Sequence, residues 1–244
     1  MKHSLFVKSL VALTATLPAL ASETDTNNWV GSISASQQVV QVGDVPTVTW
    51  DVKYPAALLD LVSLDENTAT SKKTIEMEVR VIGAAWGKTR SFHYVEGQIQ
   101  AGAGWLQIFW GDHHMIDSSK VVYQATLPVD TVIDFRGCGA KDKSGPFASS
   151  WSPWYSTTDV TPHVVLLKDG DTAPHYDPAY EIQDGVQDYL SPYIDGNTGL
   201  ITLGPRDVIY LFEFAEGSFG TKYFDLQDLV VVVTFSESDQ QPNP

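Results

Sequence analysis

The sequence predicts an all-β fold, a two-sheet antiparallel β-sandwich of the Greek-key or jelly-roll kind with little helix. Apolar residues mostly recur at every second position, as they do in strands, and clusters of Gly, Pro, Asn and Asp bound these segments. Only residues 56–64 and 182–190 carry a short helical pattern. No linker divides the chain, so we expect one sandwich domain over residues 22–235, followed by a flexible polar tail over residues 236–244.

The strand pattern is clearest in seven segments of the chain. They are residues 46–54, 75–82, 104–110, 121–127, 163–167, 208–214 and 229–235. Within the segment 75–82, residues 75–81 alternate between apolar and charged residues, which predicts a strand with one solvated face. The last two segments are apolar on both faces. They should therefore lie centrally in a sheet that is covered on both sides, either by two layers or by the opposite sheet and loops.

The first 21 residues have the pattern of an export signal. Lys2 and Lys8 precede an apolar run over residues 10–21, and residues 19–21 (ALA) match the small-x-small site that a signal peptidase cuts. The apolar run is shorter than the roughly 20 residues of a membrane-spanning helix. We therefore expect cleavage of a signal peptide over residues 1–21, a mature chain that begins near Ser22 without a membrane span, and a secreted protein, extracellular or periplasmic.

The charge of the chain is strongly negative. It has 15 Lys and Arg against 30 Asp and Glu, a net charge of -15. Loss of the two lysines in the signal segment makes this 13 against 30, or -17, for the mature chain. Such a surface repels phosphate backbones and attracts cations, so nucleic acid is not an expected partner. Divalent metal ions or a basic partner are compatible with this acidic surface.

Cys138 is the only cysteine, so no internal disulfide can form. It is flanked by glycines, with no His or basic residue beside it in sequence. The favoured interpretation is a small apolar filler at a glycine bend, with a reactive nucleophile as the alternative.

The loop between the last two predicted strands, residues 215–227, is the most informative local feature. If these strands form a hairpin, their adjoining ends lie side by side and Glu213 lies near Asp228, with Asp225 just before it. Three carboxylates in a small volume repel one another unless a cation compensates them, and oxygen-rich clusters suit Ca²⁺. The alternative is that Asp225 and Asp228 bond to local backbone amides while Glu213 points to water.

The same region resembles a known closing motif. Phe212-Glu213, the glycines 217 and 220, and residues 224–230 (FDLQDLV) resemble the end of a group of bacterial extracellular β domains of unknown function. These domains end in an acidic D-[FY]-N-D-[LV]-V segment after an F-E strand and a glycine-rich loop, and are thought to be calcium-associated. Tyr223 stands where that pattern often has a further acid, and Gln227 replaces its Asn. The resemblance implies that Glu213, Asp225 and Asp228 are metal ligands.

An aromatic cluster suggests a second kind of site. Trp151, Trp154 and Tyr155 lie within five residues of a long irregular segment. Flat exposed rings stack on the C–H faces of sugars, so these residues are candidate ligands for a carbohydrate. The alternative is burial, which is the commoner environment of such rings in large sandwiches.

Two polar segments are predicted to form turns rather than metal-binding sites. The stretch from 169 to 195 contains DGD and DGN, which are turn signals, with a surface Ca²⁺ as the alternative. The GDHH stretch, residues 111–114, should form a turn after its strand, because adjacent residues on a strand point to opposite faces and so cannot easily share one ion.

The expected function is therefore non-catalytic. No nucleophile-elbow, H-E-x-x-H, P-loop or dinucleotide pattern occurs, and no spacing singles out a carboxylate pair for glycoside hydrolysis. We expect an exported structural, adhesive or surface-interaction protein with a protein or glycan partner, stabilised by Ca²⁺. A carbohydrate-binding module is the first alternative, and a secreted hydrolase without a recognisable motif is the second.

Overall fold

The computed structural model describes residues 30–35, 48–53, 56–88, 91–178, 183–216 and 220–238. The predicted signal segment lies outside these residues, as do the last six residues of the predicted tail. The strands in chain order are β1 (Val30–Ala35), β2 (Val48–Lys53), β3 (Val62–Asp65), β4 (Thr68–Ser71), β5 (Ile75–Gly83), β6 (Gly87–Lys88), β7 (Ser91–Phe92), β8 (Val95–Ala101), β9 (Leu106–Gly111), β10 (Val121–Leu127), β11 (Val132–Gly139), β12 (Tyr155–Ser156), β13 (Val164–Leu167), β14 (Asp207–Phe212) and β15 (Leu229–Glu237).

Helix is confined to short pieces in the described ranges. These are α1 (Leu58–Leu61), α2 (Val186–Leu190) and the 3-10 turns His113–Met115, Gly145–Phe147 and Ser191–Tyr193. None of the helices in this part of the chain has the length and apolar character needed to cross a membrane.

Two large antiparallel sheets pack together, which confirms the predicted all-β sandwich. The five-stranded sheet has the order β10-β5-β15-β14-β13. The six-stranded sheet has the order β3-β4-β11-β8-β9, with β12 also paired to β11. Two further antiparallel pairs, β1 with β2 and β6 with β7, form separate two-stranded sheets.

The central strands β14 and β15 are buried on both faces, as the sequence predicts. Along β14, Val208, Tyr210 and Phe212 face the core between the sheets, whereas Ile209 and Leu211 face a second core. Strand β15 alternates in the same way. The second core is closed by α2 and by loop residues rather than by another sheet. Its covering side chains are Val186, Leu190, Ile201, Leu203, Phe224 and Leu226.

The main difference between prediction and structure is that some observed strands were not predicted from the sequence pattern. Strands β8 and β11 lie at the centre of the six-stranded sheet, and both contain glycine, which weakens a strand pattern. The predicted helical segment 56–64 is helical only in α1, since its remaining residues form β3 and pair with β4. Strand β15 continues to Glu237, two residues into the predicted tail, because it remains paired with β5 there.

Cys138 on β11 is buried, as expected of an apolar filler. Burial raises the pKa of its thiol to about 12, with a smaller contribution from the charge of Glu96. At neutral pH the residue is therefore a neutral thiol, which is a poor nucleophile.

Candidate metal centre

The β14–β15 hairpin brings three acidic side chains together at one end of the five-stranded sheet. The last pair in its register is Phe212 with Leu229, and the N–H of Asp228 donates to the carbonyl of Phe212 at 3.1 Å. Glu213, Asp225 and Asp228 each place one carboxylate oxygen within 4.8 Å of the other two. All three side chains are buried, with at most 2% of their surface exposed. The predicted convergence is confirmed, and the alternative in which Glu213 points to water is wrong.

Glu213 organises the loop by accepting backbone hydrogen bonds with both oxygens. Its Oε1 accepts from Ala215 N at 2.8 Å, and its Oε2 accepts from Asp225 N at 2.7 Å and from Leu226 N at 3.0 Å. Leu226 has a φ of 57°, in the left-handed region that residues other than glycine seldom adopt. This conformation occurs where two successive amides point at one carboxylate. Glu213 therefore fixes the shape of the loop as well as supplying charge.

Asp228 and Asp225 are bound to the residues next to them in the hairpin. Asp228 Oδ2 accepts from Phe214 N at 2.6 Å, and Asp225 Oδ2 accepts from the side-chain amide of Gln227 at 2.9 Å. Part of the turn-residue alternative is thus correct, since Asp228 does bond a nearby backbone amide. The carbonyl oxygen of the same Gln227 amide group has no hydrogen-bond donor in the described part of the chain, although Gln227 is fully buried.

The electrostatics of the cluster are unfavourable without added positive charge. Burial raises the pKa of Asp228 well above its usual value, and the neighbouring carboxylates of Glu213 and Asp225 raise it further. Neither Glu213 nor Asp228 forms an ion pair with any residue that the structure describes. A buried charge is costly unless it is paired, so the Asp228 carboxylate needs either a proton or a cation. The acidic cluster has the composition and spacing to hold a metal ion.

A cleft of about 310 Å³ opens beside the cluster. Asp225 and Asp228 line it, whereas Glu213 and Gln227 do not. The cluster therefore has a side enclosed by protein and a side that faces the cleft.

The walls of this cleft are aromatic, and its charged side chains are two lysines and three acids. The rings of Trp86, Phe214 and Tyr223 line it together with Lys88, Lys141, Gln183 and Glu216. Trp86 is held in place by a hydrogen bond from its Nε1 to the carbonyl of Ala140 at 2.5 Å. Its ring meets that of Phe214 edge-on, with a centroid distance of 6.1 Å.

The three aromatic residues predicted to contact a sugar each pack against a different neighbour. The ring of Trp151 stacks on Trp110 at a centroid distance of 5.2 Å, and that of Tyr155 stacks on His163 at 4.1 Å. Trp154 is the most exposed of the three, at 38%. The guanidinium of Arg136 lies 4.5 Å from its ring and, on another side, 4.1 Å from that of Trp105.

The two polar segments form turns, as the sequence predicts. Asp112 accepts from His114 N at 3.0 Å, ahead of the 3-10 turn His113–Met115. Asp195 accepts from the backbone N–H groups of Asn197 and Thr198. Within the ranges that the structure describes, neither segment has a group of three side chains close enough to share an ion.

Comparison of this chain with protein-family models, with curated proteins and with solved structures found no match. The resemblance of residues 212–230 to bacterial extracellular β domains stays a prediction.

Gln227 and the cleft are the parts of the site that the sequence pattern missed. Gln227 occupies the position where the resembling motif has Asn, and both side chains offer an amide oxygen, so this signal was present in the sequence. Lys88 and Lys141 come from β6 and from the loop after β11. Nothing in their local sequence links them to residues 213–228.

Proposed function

We propose that this chain is an exported, non-catalytic β-sandwich with a structural, adhesive or surface-interaction role, stabilised by Ca²⁺ bound at Glu213, Asp225 and Asp228. The observation that carries the proposal is the joint burial of Glu213 and Asp228 without a cationic partner among the described residues. A divalent cation would offset two negative charges. The three backbone amides that donate to Glu213 offset part of the remaining negative charge.

The spacing and chemistry of the donors favour calcium. Calcium binds oxygen ligands at about 2.3–2.6 Å, so two oxygens on one ion lie at most about 5 Å apart. The separation of 4.8 Å within the cluster satisfies this limit. The donors that lie within this distance are carboxylate oxygens. Such a set suits a hard cation with flexible geometry, whereas Mg²⁺ requires a near-ideal octahedron and Zn²⁺ is bound chiefly by N and S ligands.

The position of the centre supports a stabilising role. Its ligands lie at the end of β14, in the following loop and immediately before β15, and these are the two central strands of the five-stranded sheet. An ion there would bind the native state alone, because the unfolded chain does not hold the three carboxylates together.

The other two function classes receive less support from the geometry. Trp151, Trp154 and Tyr155 each contact a different neighbour, so they do not support a shared sugar platform at those residues. The sequence motifs of the common hydrolases are missing, which supports a non-catalytic role.

Thermal unfolding with Ca²⁺ or with a chelator tests the proposal. Ca²⁺ at a hundredfold excess over its Kd should stabilise the wild type by about 2.7 kcal/mol, which raises Tm by roughly 5–11 °C for a chain of this size. The Asp228→Asn variant should lose that response. In chelator it should melt at least as high as the wild type, because it no longer buries an uncompensated charge. Glu76→Gln, a change on β5 outside the cluster, should respond as the wild type does.

An equal Tm of the wild type with Ca²⁺ and with chelator would overturn the proposal. Retention of the Ca²⁺ response by Asp228→Asn would remove this residue from the ligand set. A parallel titration with Mg²⁺ tests the choice of ion, for which we expect a smaller shift at equal concentration.

A further inference from the structure

We propose that the cleft beside the metal centre binds an acidic saccharide, a hexuronate-type sugar ring, through the bound cation, the aromatic wall and the lysines at its rim. This inference rests on the proposed calcium site. It adds a ligand class and a binding surface that are distinct from the aromatic residues 151–155.

The protein itself offers fewer oxygen ligands than a calcium ion binds. Three carboxylates that each give one oxygen supply three donors. Calcium takes about six to eight oxygens, so roughly three to five positions remain for other ligands. Asp225 and Asp228 line the cleft while Glu213 and Gln227 do not, so the open positions lie on the cleft side. Hydroxyl or carboxylate oxygens of a bound molecule can occupy them.

The cleft has the size and the aromatic lining of a site for one sugar ring. Its volume of about 310 Å³ is at the lower end of the range for small-molecule sites, which suits a single sugar ring rather than a larger ligand. Tyr223 is 46% exposed at this cleft and offers a flat surface to the C–H face of a sugar. The ring of Trp86 is fixed by its hydrogen bond to Ala140. A preformed aromatic wall of this kind binds a ring at little entropic cost.

With a cation bound to Asp225 and Asp228, the charged side chains left in the cleft are two lysines and Glu216. Lys88 and Lys141 line the cleft, and Nζ of Lys222 lies 4.8 Å from the centre of the Tyr223 ring. These are three of only 15 basic residues in a chain of net charge -15. An ammonium group has three donors. Lys88 uses one on the carbonyl of Lys141, and Lys141 uses one on Glu216 at 2.5 Å, so both retain donors for a ligand.

A carboxylate-bearing sugar meets all three features at once. Its ring covers the aromatic wall, and its hydroxyls bind the open coordination positions of the cation. Its carboxylate pairs with the lysines. A neutral sugar leaves the lysines unused, and a small carboxylic acid leaves the aromatic wall uncovered.

The test compares two ligands that differ only at C6. Methyl α-galacturonoside carries a carboxylate there, whereas methyl α-galactoside carries a hydroxymethyl group. Binding of each to the mature protein is measured by ligand-observed NMR or calorimetry, with Ca²⁺ and with chelator. In Ca²⁺ we expect the uronoside to bind about tenfold more tightly than the galactoside, as one charged hydrogen bond predicts. In chelator the uronoside should lose its binding.

Surface variants make the test specific to the cleft. Lys141→Gln and Tyr223→Ala change exposed side chains and should each weaken uronoside binding several-fold, without altering the Ca²⁺-induced rise in Tm. Lys73→Gln is the matched control. Lys73 forms an exposed ion pair with Glu237 at 2.6 Å, comparable to the pair of Lys141 with Glu216, and lies outside the cleft.

The results separate the two proposals. If Ca²⁺ raises Tm but the two glycosides bind equally, or Lys141→Gln behaves like Lys73→Gln, the saccharide inference is overturned and the calcium site stands. Uronoside binding that persists in chelator also overturns the inference. If Ca²⁺ does not change Tm, the calcium proposal fails and the saccharide inference fails with it.

Discussion

Glu213 and Asp228 are both buried acids of the same cluster, yet their hydrogen bonds give them different structural roles. Glu213 accepts three backbone N–H groups with its two oxygens, whereas Asp228 accepts one, from Phe214. Neutralising each side chain should therefore have different consequences when no ion is bound.

We expect Glu213→Gln to destabilise the protein in chelator by about 1–3 kcal/mol, because the new amide NH₂ must face a backbone N–H that had an acceptor. Asp228→Asn should cost nothing under the same conditions, since its carbonyl oxygen still accepts from Phe214. Urea denaturation of both variants in chelator measures this difference. Equal destabilisation by the two substitutions would show that Glu213 does not organise the loop.

Asp207, at the start of β14, gives a pH dependence that is separate from the metal centre. Burial raises the pKa of Asp207, and the charges of Arg80 and Arg206 only partly oppose this. The native state therefore retains a proton that the unfolded chain releases near pH 4. This stabilisation is fully present below that pH and is lost as the pH rises through the native pKa.

The Asp207→Asn variant should therefore gain stability relative to the wild type as the pH rises from about 4 to 7. Denaturant unfolding of both proteins at several pH values gives the difference in free energy of unfolding. A difference that stays constant over this interval would contradict the expected pKa.

At the scale of elements, the close approach of β11 to the β14–β15 hairpin determines the position of Phe214. A Cβ built on Gly137 of β11 would lie 2.6 Å from the ring of Phe214, and one on Gly97 of β8 would lie 3.1 Å from Leu229. The N–H of Phe214 donates to Asp228, so the two glycines make room for the residues that frame the metal centre.

We expect Gly137→Ala to destabilise the protein by about 1–3 kcal/mol, as overpacking of a core does, and also to weaken Ca²⁺ binding through displacement of Phe214. Calorimetric unfolding and a Ca²⁺ titration measure the two effects. Gly170→Ala is a useful comparison, because Gly170 has a φ of 82° but no atom within 4 Å of an added Cβ. That change should cost stability through backbone strain without affecting Ca²⁺ affinity.

These close contacts also explain which elements were predictable from sequence. Strands β5, β14 and β15 bury alternating or continuous apolar residues, so their periodicity is visible locally. Strands β8 and β11 have glycines where a large side chain from a distant part of the sequence fills the space, and this is a tertiary property. The convergence of Glu213 and Asp228 followed from hairpin geometry, whereas the cleft depends on residues from β6 and the loop after β11.

At the scale of the whole molecule, the net charge of -15 means that cations act on stability in two ways. One is general screening of surface charge, and the other is binding at a specific site. Added salt screens repulsion between surface acids and should stabilise any variant of this chain. A specific site responds instead to a divalent ion at low ionic strength.

Sodium chloride should therefore raise the Tm of the wild type and of Asp228→Asn by the same amount. One millimolar CaCl₂, an ionic strength of only about 3 mM, should raise the Tm of the wild type alone when compared with NaCl at the same ionic strength. An equal response of both proteins to CaCl₂ would assign the effect to surface screening.

The place of β15 in the five-stranded sheet has a consequence for biosynthesis. This strand is the last in the described part of the chain, but it lies between β5 and β14 and pairs with both. Until residues 229–237 have emerged from the ribosome, β5 and β14 have no common partner and each keeps an open edge. In the exported protein that we propose, this sheet would stay incomplete until its last strand is synthesised, which would favour passage through a translocation channel that admits only unfolded polypeptide.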